Sequence, residues 1–412
     1  MAKATRTYKE ITNADDVKFL LSLDENSITE SVIFEMFGDF DGVPKYNPFD
    51  IFTVPAGAYG NEKHKNKKAF KTTIGIWIFN RYFIERELCD EFGYINKNIN
   101  KKTINSINKS ISYAVLEDRL TLDNLKTFIN KIQKFMPFVS IITPNQTMKM
   151  LLSTEEFRKK RDELYKTKYK EGIDNGDPVV AEAMTNELLD YAKEYLGGDE
   201  SMDQYDSQAL GSFDNNFKNL YIMKGAIKDP DPLKGYNIIM SNYMDGIQAE
   251  EYSDFAKSLT SGPYARAKKT EVGGWWEKLF LPVYSHIQLD KPGSDCGTDR
   301  YITCTITPDL IDMVMYNYVI EGSKLVEITS QNRDKYIGKT VKMRFSSMCE
   351  HEKICNKCAG NLYYRMHITN IGTAIPQIAS ILKNISMKGF HDSTVRTSEM
   401  DPMRAFGLKD TK

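Results

Sequence analysis

Three cysteines within ten residues, in the run Cys349-Glu350-His351-Glu352-Lys353-Ile354-Cys355-Asn356-Lys357-Cys358, constrain this chain more than any other feature. A Cys-x-x-Cys pair with a third cysteine six positions upstream has the thiolate spacing of a tetrahedral zinc site, and a structural site of that kind closes with a fourth ligand. The candidates are Cys296, Cys304, His351 and His367. Cys296 is favoured, because Asp295-Cys296-Gly297-Thr298 reads as a turn in which backbone amides reach the sulfur. Cys304 alternates within a strand-like pattern and reads as core. Four thiolates leave no open coordination position, so the expected role is to hold the fold together. Structural zinc contributes roughly 10–16 kcal/mol in small peptides at neutral pH. The competing reading is a set of reduced cysteines without metal.

A length of 412 residues allows two or three domains with a substantial core. With 55 Lys and Arg against 56 Asp and Glu, the chain as a whole does not attract polyanions. Any contact with nucleic acid must come from local patches. No run of about 18 apolar residues occurs, and the start Met-Ala-Lys-Ala-Thr-Arg lacks a signal peptide's apolar stretch. The chain therefore reads as soluble and intracellular, where clustered cysteines point to metal rather than disulfides. The basic run Lys63-His64-Lys65-Asn66-Lys67-Lys68 reads first as a solvated loop and second as a phosphate-contacting patch.

Residues 1 to 70 carry a short amphipathic segment (Val17, Phe19, Leu20, Leu21) and loops punctuated by Pro44, Pro48 and Pro55. A helix is expected from Ile76 to Leu88, another capped by Thr103 or Ser106, and a third from Thr121 to Met136. Ser153 with Glu156 has the capping-box pattern for a charged helix running to about Glu171. A break at 172–176 is followed by Asp177 as cap and Pro178 in the first turn of a second helix. So short a link predicts an antiparallel hairpin, projecting and with limited burial. Gly197 to Gly211 reads as an acidic linker. A helix is expected from about Asp245 to Trp276, interrupted near Gly262-Pro263. From Cys296 to Cys358, alternation at Ile302, Thr303, Thr305, Ile306, Val341, Met343 and Phe345 predicts short strands.

The order of these motifs resembles the beta-prime subunit of multisubunit DNA-directed RNA polymerases over about residues 71 to 408. Lys71-Thr72-Thr73-Ile74-Gly75 is similar to that family's Thr-Thr-Val-Gly-Arg. The 153–196 hairpin resembles the rim helices of the secondary channel, and Tyr221-Ile222-Met223-Lys224-Gly225-Ala226 the loop supporting the bridge helix. Asn242-Tyr243-Met244-Asp245-Gly246-Ile247 resembles the Asn-Phe-Arg-Glu-Gly-Leu that enters that helix. Lys269-Thr270 with Gly273-Gly274 resembles its end. The cysteines, the Gly360-Asn361-Leu362-Tyr363-Tyr364-Arg365 stretch and Asn370-Ile371-Gly372-Thr373-Ala374-Ile375 follow in family order. Ile385-Ser386-Met387-Lys388-Gly389-Phe390-His391 then resembles the trigger loop, Gln-Leu-Thr-Met-Arg-Thr-Phe-His. The family's Asn-Ala-Asp-Phe-Asp-Gly-Asp is the exception. Gly38-Asp39-Phe40-Asp41-Gly42 has Val43 where the third aspartate would stand, so an acidic turn is the favoured reading. The resemblance thus implies a split subunit of which this is the C-terminal piece, as in the non-virion polymerases of giant bacteriophages, acting in the host cytoplasm.

The implied fold is α+β, predominantly helical, an irregular multi-module architecture with a zinc-binding β module, bridge helix and trigger loop. The implied modules are 1–70 joining the partner beta-prime fragment, 71–150 helical near the active site, 151–200 the hairpin, 212–290 the bridge-helix region, 291–370 the zinc module (Cys296, Cys349, Cys355, Cys358) and 371–412 the trigger loop and tail. The implied chemistry is nucleotidyl transfer, in which two Mg2+ ions, bound mainly by another subunit, stabilise the attacking and leaving oxygens. Asn384, Met387, Lys388 and His391 share one helical face. The resemblance gives Met387 the incoming base, Lys388 a phosphate, His391 the β-phosphate and Asn384 the ribose. Arg266, Lys268, Lys269 and Thr270 would face template and active site from the bridge helix. Implied partners are the N-terminal beta-prime fragment, beta-type subunits, a possible promoter-specificity factor, DNA template, RNA transcript and NTPs, with no membrane. The competing readings are a non-catalytic zinc-ribbon nucleic-acid-binding protein and a scaffold subunit of a transcription complex.

Overall fold

The computed structural model describes residues 8–38, 44–61, 65–142, 146–206, 213–229 and 235–370. The amphipathic segment near the start is the helix Ala14–Ser22, capped by Asn13, whose side chain accepts from the N–H groups of Asp15 and Asp16. With the helix Glu30–Phe37 it covers a two-stranded antiparallel sheet in which β1 (Ile51–Val54) pairs with β2 (Phe70–Thr73). Thr73 ends β2 and caps the next helix, Ile74–Phe79, by accepting from Ile76 N–H. Trp77 lies at the centre of this core, fully buried, with its indole N–H donated to Leu20 O at 2.7 Å and Phe52 edge-on to its ring. The helix widens into a π turn at Asn80–Ile84. Asn80 is buried there with its amide satisfied by Ile76 O, Ile95 O and Ile95 N–H, which offsets the cost of burying it.

The next helix, Lys101–Leu116, is capped by Asn100 rather than by Thr103 or Ser106. Thr103 instead donates its hydroxyl to Asn98 O and so closes the preceding turn. Thr121 caps Leu122–Phe135 in a capping box with Asn124.

A second core is built on the hairpin. Its first arm is Thr154–Leu164, extended by a π turn at Tyr165–Tyr169 and by Lys170–Asp174; its second arm is Pro178–Tyr195, capped by Asp177. Contacts of Phe157 with Tyr191, and of Lys168 with Glu187, give the antiparallel register. Two expectations need correction. Ser153 caps nothing, because a preceding turn, Met148–Leu152, already occupies its N-terminal side and the Ser153 hydroxyl donates to Met150 O. Nor is burial limited, since Met184, Leu188 and Ala192 pack with Phe157, Phe217 and Tyr221 into a closed core. The expected linker after Gly197 also contributes, with Ser201, Met202, Asp203 and Gln204 buried. β3 (Gly225–Lys228) and β4 (Tyr236–Ile239) form a small antiparallel sheet against this unit.

The loop after β4 is held by buried charge. Asp245, its side chain 8% exposed, accepts from Arg158 Nε and Arg161 Nη1 at 2.9 Å each and from Asn242 Nδ2 at 3.0 Å. Asn242 in turn donates to Tyr221 O and Ile222 O. This loop leads into a helix of 33 residues, Tyr252–Tyr284. The helix begins later than expected and runs unbroken through Pro263, ending beyond Trp276. Among the described residues no helix is long and apolar enough to cross a membrane.

A third core belongs to a four-stranded antiparallel sheet of order β5-β8-β6-β7, made of β5 (Ile302–Thr305), β6 (Tyr318–Glu321), β7 (Lys324–Glu327) and β8 (Thr340–Met343). It docks on the end of Lys101–Leu116. Glu117 accepts from Ser330 N–H and hydroxyl at 2.8 and 2.6 Å, Tyr113 donates to Asp312 at 3.0 Å, and Arg365 donates to Leu116 O at 2.8 Å.

Burial pushes the Asp245 carboxyl up, and the hydrogen bonds and charges of Arg158 and Arg161 outweigh it, leaving it below the usual carboxylate range. A lowered folded-state value contributes stability that is present above the unfolded value of about 4 and is lost as pH falls through the folded one. Asp245→Ala leaves Arg161 buried without its counter-charge and is expected to destabilise the hairpin unit by about 3 kcal/mol. Urea unfolding at pH 7 checks this; a variant with an unchanged midpoint refutes the anchoring role.

Candidate metal centre

The sulfurs of Cys296, Cys349, Cys355 and Cys358 all lie within 4.8 Å of one another. Two pieces of chain deliver them. Cys296 sits in the loop after the long helix, where Gly297 adopts φ +71° and donates its N–H to Asp295 Oδ1. Cys349 follows the turn Ser346–Met348 beyond β8, and Cys355 caps the one-turn helix Asn356–Ala359 that carries Cys358. Asn356, buried between the cysteines, staples the two pieces. Its N–H donates to Ser294 Oγ at 3.0 Å and its Oδ1 accepts from Gly293 N–H at 2.9 Å, while its Nδ2 donates to Gly360 O. Gly360 itself has φ +83°, and a Cβ there would meet Asn317 Oδ1 at 2.3 Å and Tyr316 O at 3.0 Å, so no larger residue fits.

The spacing fits a metal rather than a disulfide. A tetrahedral centre with metal–sulfur bonds of about 2.3 Å holds its sulfurs about 3.8 Å apart. Cys296 Sγ and Cys358 Sγ are 3.7 Å apart, far beyond a covalent S–S bond of about 2.05 Å. All six cysteines are free. Hydrogen-bond donors ring the sulfurs. Cys355 N–H donates to Cys349 Sγ at 3.3 Å. Arg344 Nη2 lies 3.2 Å from Cys296 Sγ and 3.4 Å from Cys358 Sγ, and 2.7 Å from Asp295 Oδ1. Burial raises the Cys296 thiol, yet the backbone N–H groups of Glu350 and Thr298 prevail and bring it down to about 6. Burial pushes the Cys358 and Cys355 thiols up. A dication between the sulfurs reverses that preference, because it stabilises all four thiolates at once. The group can therefore hold one metal ion, and four sulfur donors match zinc better than an oxygen-seeking cation.

The other candidate ligands stand apart. Cys304 lies on β5 opposite Val341 and packs at the edge of the third core. The His351 ring is largely exposed and its Nδ1 meets Asp290 Oδ2 at 3.3 Å. His367 is exposed in a turn with φ +56°. Of the residues expected on the bridge helix, Lys268 and Thr270 are exposed on Tyr252–Tyr284, Lys268 pairing with Glu271 at 2.8 Å. The side chains of Arg266 and Lys269 lie outside the described part, as do Asp39, Asp41, Asn384, Met387, Lys388 and His391. Lys65, Lys67 and Lys68 of the basic run are exposed. Spacing alone missed Arg344, Ser294 and Asn356; of these only Asn356, placed between two cysteines, carried a positional signal.

Wild-type chain is expected to contain one tightly held metal ion, and Cys355→Ser or Cys358→Ser to lose it together with the fold of the 286–370 module. Elemental analysis alongside limited proteolysis measures both. A metal-free wild-type chain that resists proteolysis across 286–370 contradicts the site.

No family model matches the chain. Curated proteins match it at low identity over long spans. It is 24% identical over 386 residues to "DNA-directed RNA polymerase subunit beta'" of Sulfurihydrogenibium sp. (strain YO3AOP1), covering 81% of this chain and 24% of that protein. It is 23% identical over 354 residues to "DNA-directed RNA polymerase subunit beta''" of Cyanidium caldarium, covering 74% and 27%. It is 23% identical over 397 residues to the beta' subunit of Chlorobaculum tepidum, covering 84% and 26%. The chain spans about a quarter of the length of these relatives. Over much of its length it is thus weakly homologous to RNA polymerase beta' and beta'' subunits.

Proposed function

We propose that this chain is the C-terminal piece of a beta'-type subunit of a multisubunit DNA-directed RNA polymerase. It acts in template-directed nucleotidyl transfer from NTPs to the RNA 3′ end and is inactive alone. The observation that carries this reading is the long co-linear similarity to beta' subunits in a chain whose four cysteines gather at metal-binding distance. Two features of the fold support it. The loop Asn242–Asp245, similar to the family's entry to the bridge helix, is locked to the hairpin and leads into a 33-residue helix. That helix leaves Leu259, Val272, Trp275, Trp276, Leu279 and Leu281 exposed. A helix with so much exposed apolar surface needs burial by something outside this chain, as a subunit of a larger assembly provides.

The four cysteines hold structural zinc and take no part in bond making. Catalytic magnesium is held mainly by another chain, because Val43 stands where the family's third aspartate would follow Asp39 and Asp41. The segment with Asn384, Met387, Lys388 and His391 closes over the incoming nucleotide and excludes water. Met387 packs on the base, Asn384 hydrogen-bonds the ribose, Lys388 contacts phosphate as a point charge, and His391 serves the leaving pyrophosphate as proton donor or as fixed positive charge. Arg266, Lys268, Lys269 and Thr270 face the template from the long helix. The split subunit is of the kind found in giant bacteriophages and works in the cytoplasm of the bacterial host, with the N-terminal beta' fragment and beta-type subunits as companions.

Copurification from infected or co-expressing cells is expected to bring down a chain with three clustered aspartates and a beta-type chain. In the reconstituted complex His391→Ala should slow elongation on the order of a hundredfold, the low end for a general acid, with assembly intact. An unchanged elongation rate removes the catalytic role and favours a zinc-bearing scaffold subunit.

A further inference from the structure

Arg344 is the one charged side chain placed against the sulfurs that neither cysteine spacing nor similarity called for. It directly follows β8, at the start of the piece of chain that carries Cys349, Cys355 and Cys358. Its side chain is 5% exposed. From that position a single nitrogen, Nη2, lies within reach of two sulfurs and of Asp295 Oδ1. Its Nε is also buried and has no acceptor among the described residues. A guanidinium is costly to bury, and one orienting carboxylate at the rim, Asp295 at 40% exposure, offsets only part of that cost.

Four thiolates around a dication carry a net charge of minus two, held in a largely buried setting. The fixed positive charge beside Cys296 and Cys358 halves that excess. Lysine could supply the charge, but its ammonium is more strongly hydrated and costlier to bury than the delocalised guanidinium, whose Nη2 here sits against two sulfurs and a carboxylate. We infer that Arg344 is the built-in counter-charge of the four-cysteine centre, a positioning residue whose guanidinium holds Cys296 and Cys358 as metal-bound thiolates and slows loss of the ion. This rests on the centre being a zinc site.

The test uses the full-length chain. Zinc content of the wild type comes first, because a wild type without zinc sinks the site itself rather than the role of Arg344. Release of zinc to a chromogenic chelator is then timed for wild type, Arg344→Met and Arg344→Lys, and absorption spectra are recorded for each after cobalt(II) substitution. Methionine fills similar space without charge, so a packing role predicts wild-type behaviour for Arg344→Met. The counter-charge role predicts 10- to 100-fold faster release, the usual range for lost partners of metal ligands, with shifted sulfur-to-cobalt charge-transfer bands. Arg344→Lys should fall between the two. Equal release rates and superimposable cobalt spectra for Arg344→Met and wild type overturn the assignment. Should Arg344→Met fail to fold, the neutral, polar Arg344→Gln decides: wild-type release from that variant overturns it, and faster release with altered bands supports it.

Discussion

Four sulfurs brought within 4.8 Å, two of them fully buried, form the arrangement on which the C-terminal half of this molecule depends. Nothing in the local sheet accounts for it. The strands β5 to β8 are four residues each, and the ladder between β6 and β8 has a single register pair, Val319 with Met343. So small a sheet buries little apolar surface, and small cores of this kind usually need a staple. The loop of Cys296 has no regular structure of its own and is tied down by bonds to Asn356, Glu350, Arg344 and the Lys357 N–H. Without a cation, the buried sulfurs favour the protonated state, while the donors around them are arranged for thiolates. A metal ion held by the four sulfurs would thus add folding energy to a module with a small sheet.

That module sits at a junction. On one side Glu117, Tyr113 and Arg365 tie it to the end of Lys101–Leu116, which reaches into the first core. On the other side, Leu289 N–H donates to Thr369 O, Ile354 and Gln288 exchange a backbone bond, and Asn370 Nδ2 donates to Ser285 O at 2.6 Å. The end of the 33-residue helix and the departure point of residues 371 onward are thereby clamped side by side. A metal held in this block would stiffen the join between the end of the 33-residue helix and residues 354–370, where single exposed hydrogen bonds contribute only about 1 kcal/mol each.

What was legible in the sequence follows from how local each signal is. Thr121, Asp177 with Pro178, and the alternation at Ile302–Thr305 and Val341–Met343 act over three or four residues, and the corresponding elements form where expected. Ser153 misled because a cap needs a free preceding turn, and Met148–Leu152 removes it. Pro263 misled because a proline removes one hydrogen bond from a helix without forbidding its continuation, and here the helix runs on to Tyr284. Cysteine spacing could name three of the clustered sulfurs and favour the fourth, as turn chemistry around Gly297 is local too. Arg344 was hidden because alternation along β8 assigns it to the solvent face. The Cys296 loop, nearly fifty residues earlier in the chain, covers that face and turns an outward arginine into a buried one.

The exposed apolar surface of the long helix belongs with the way its two ends are held. Trp275, Trp276 and Leu279 together leave the long helix with a face that a monomeric chain would pay to keep in water. The hairpin, by contrast, closes its own core around Phe157, Met184 and Leu188, so exposure on the long helix is not a general looseness of this fold. Other described helices also leave apolar side chains exposed, Leu122 and Ile129 on Leu122–Phe135 for instance, but the long helix is the one whose entry loop is anchored by a buried aspartate and whose exit is tied to the four-cysteine module. A helix tied at both ends has its direction set within this polypeptide, and the apolar side chains it leaves exposed, Trp275 and Leu279 among them, are the surface that the proposed assembly would cover.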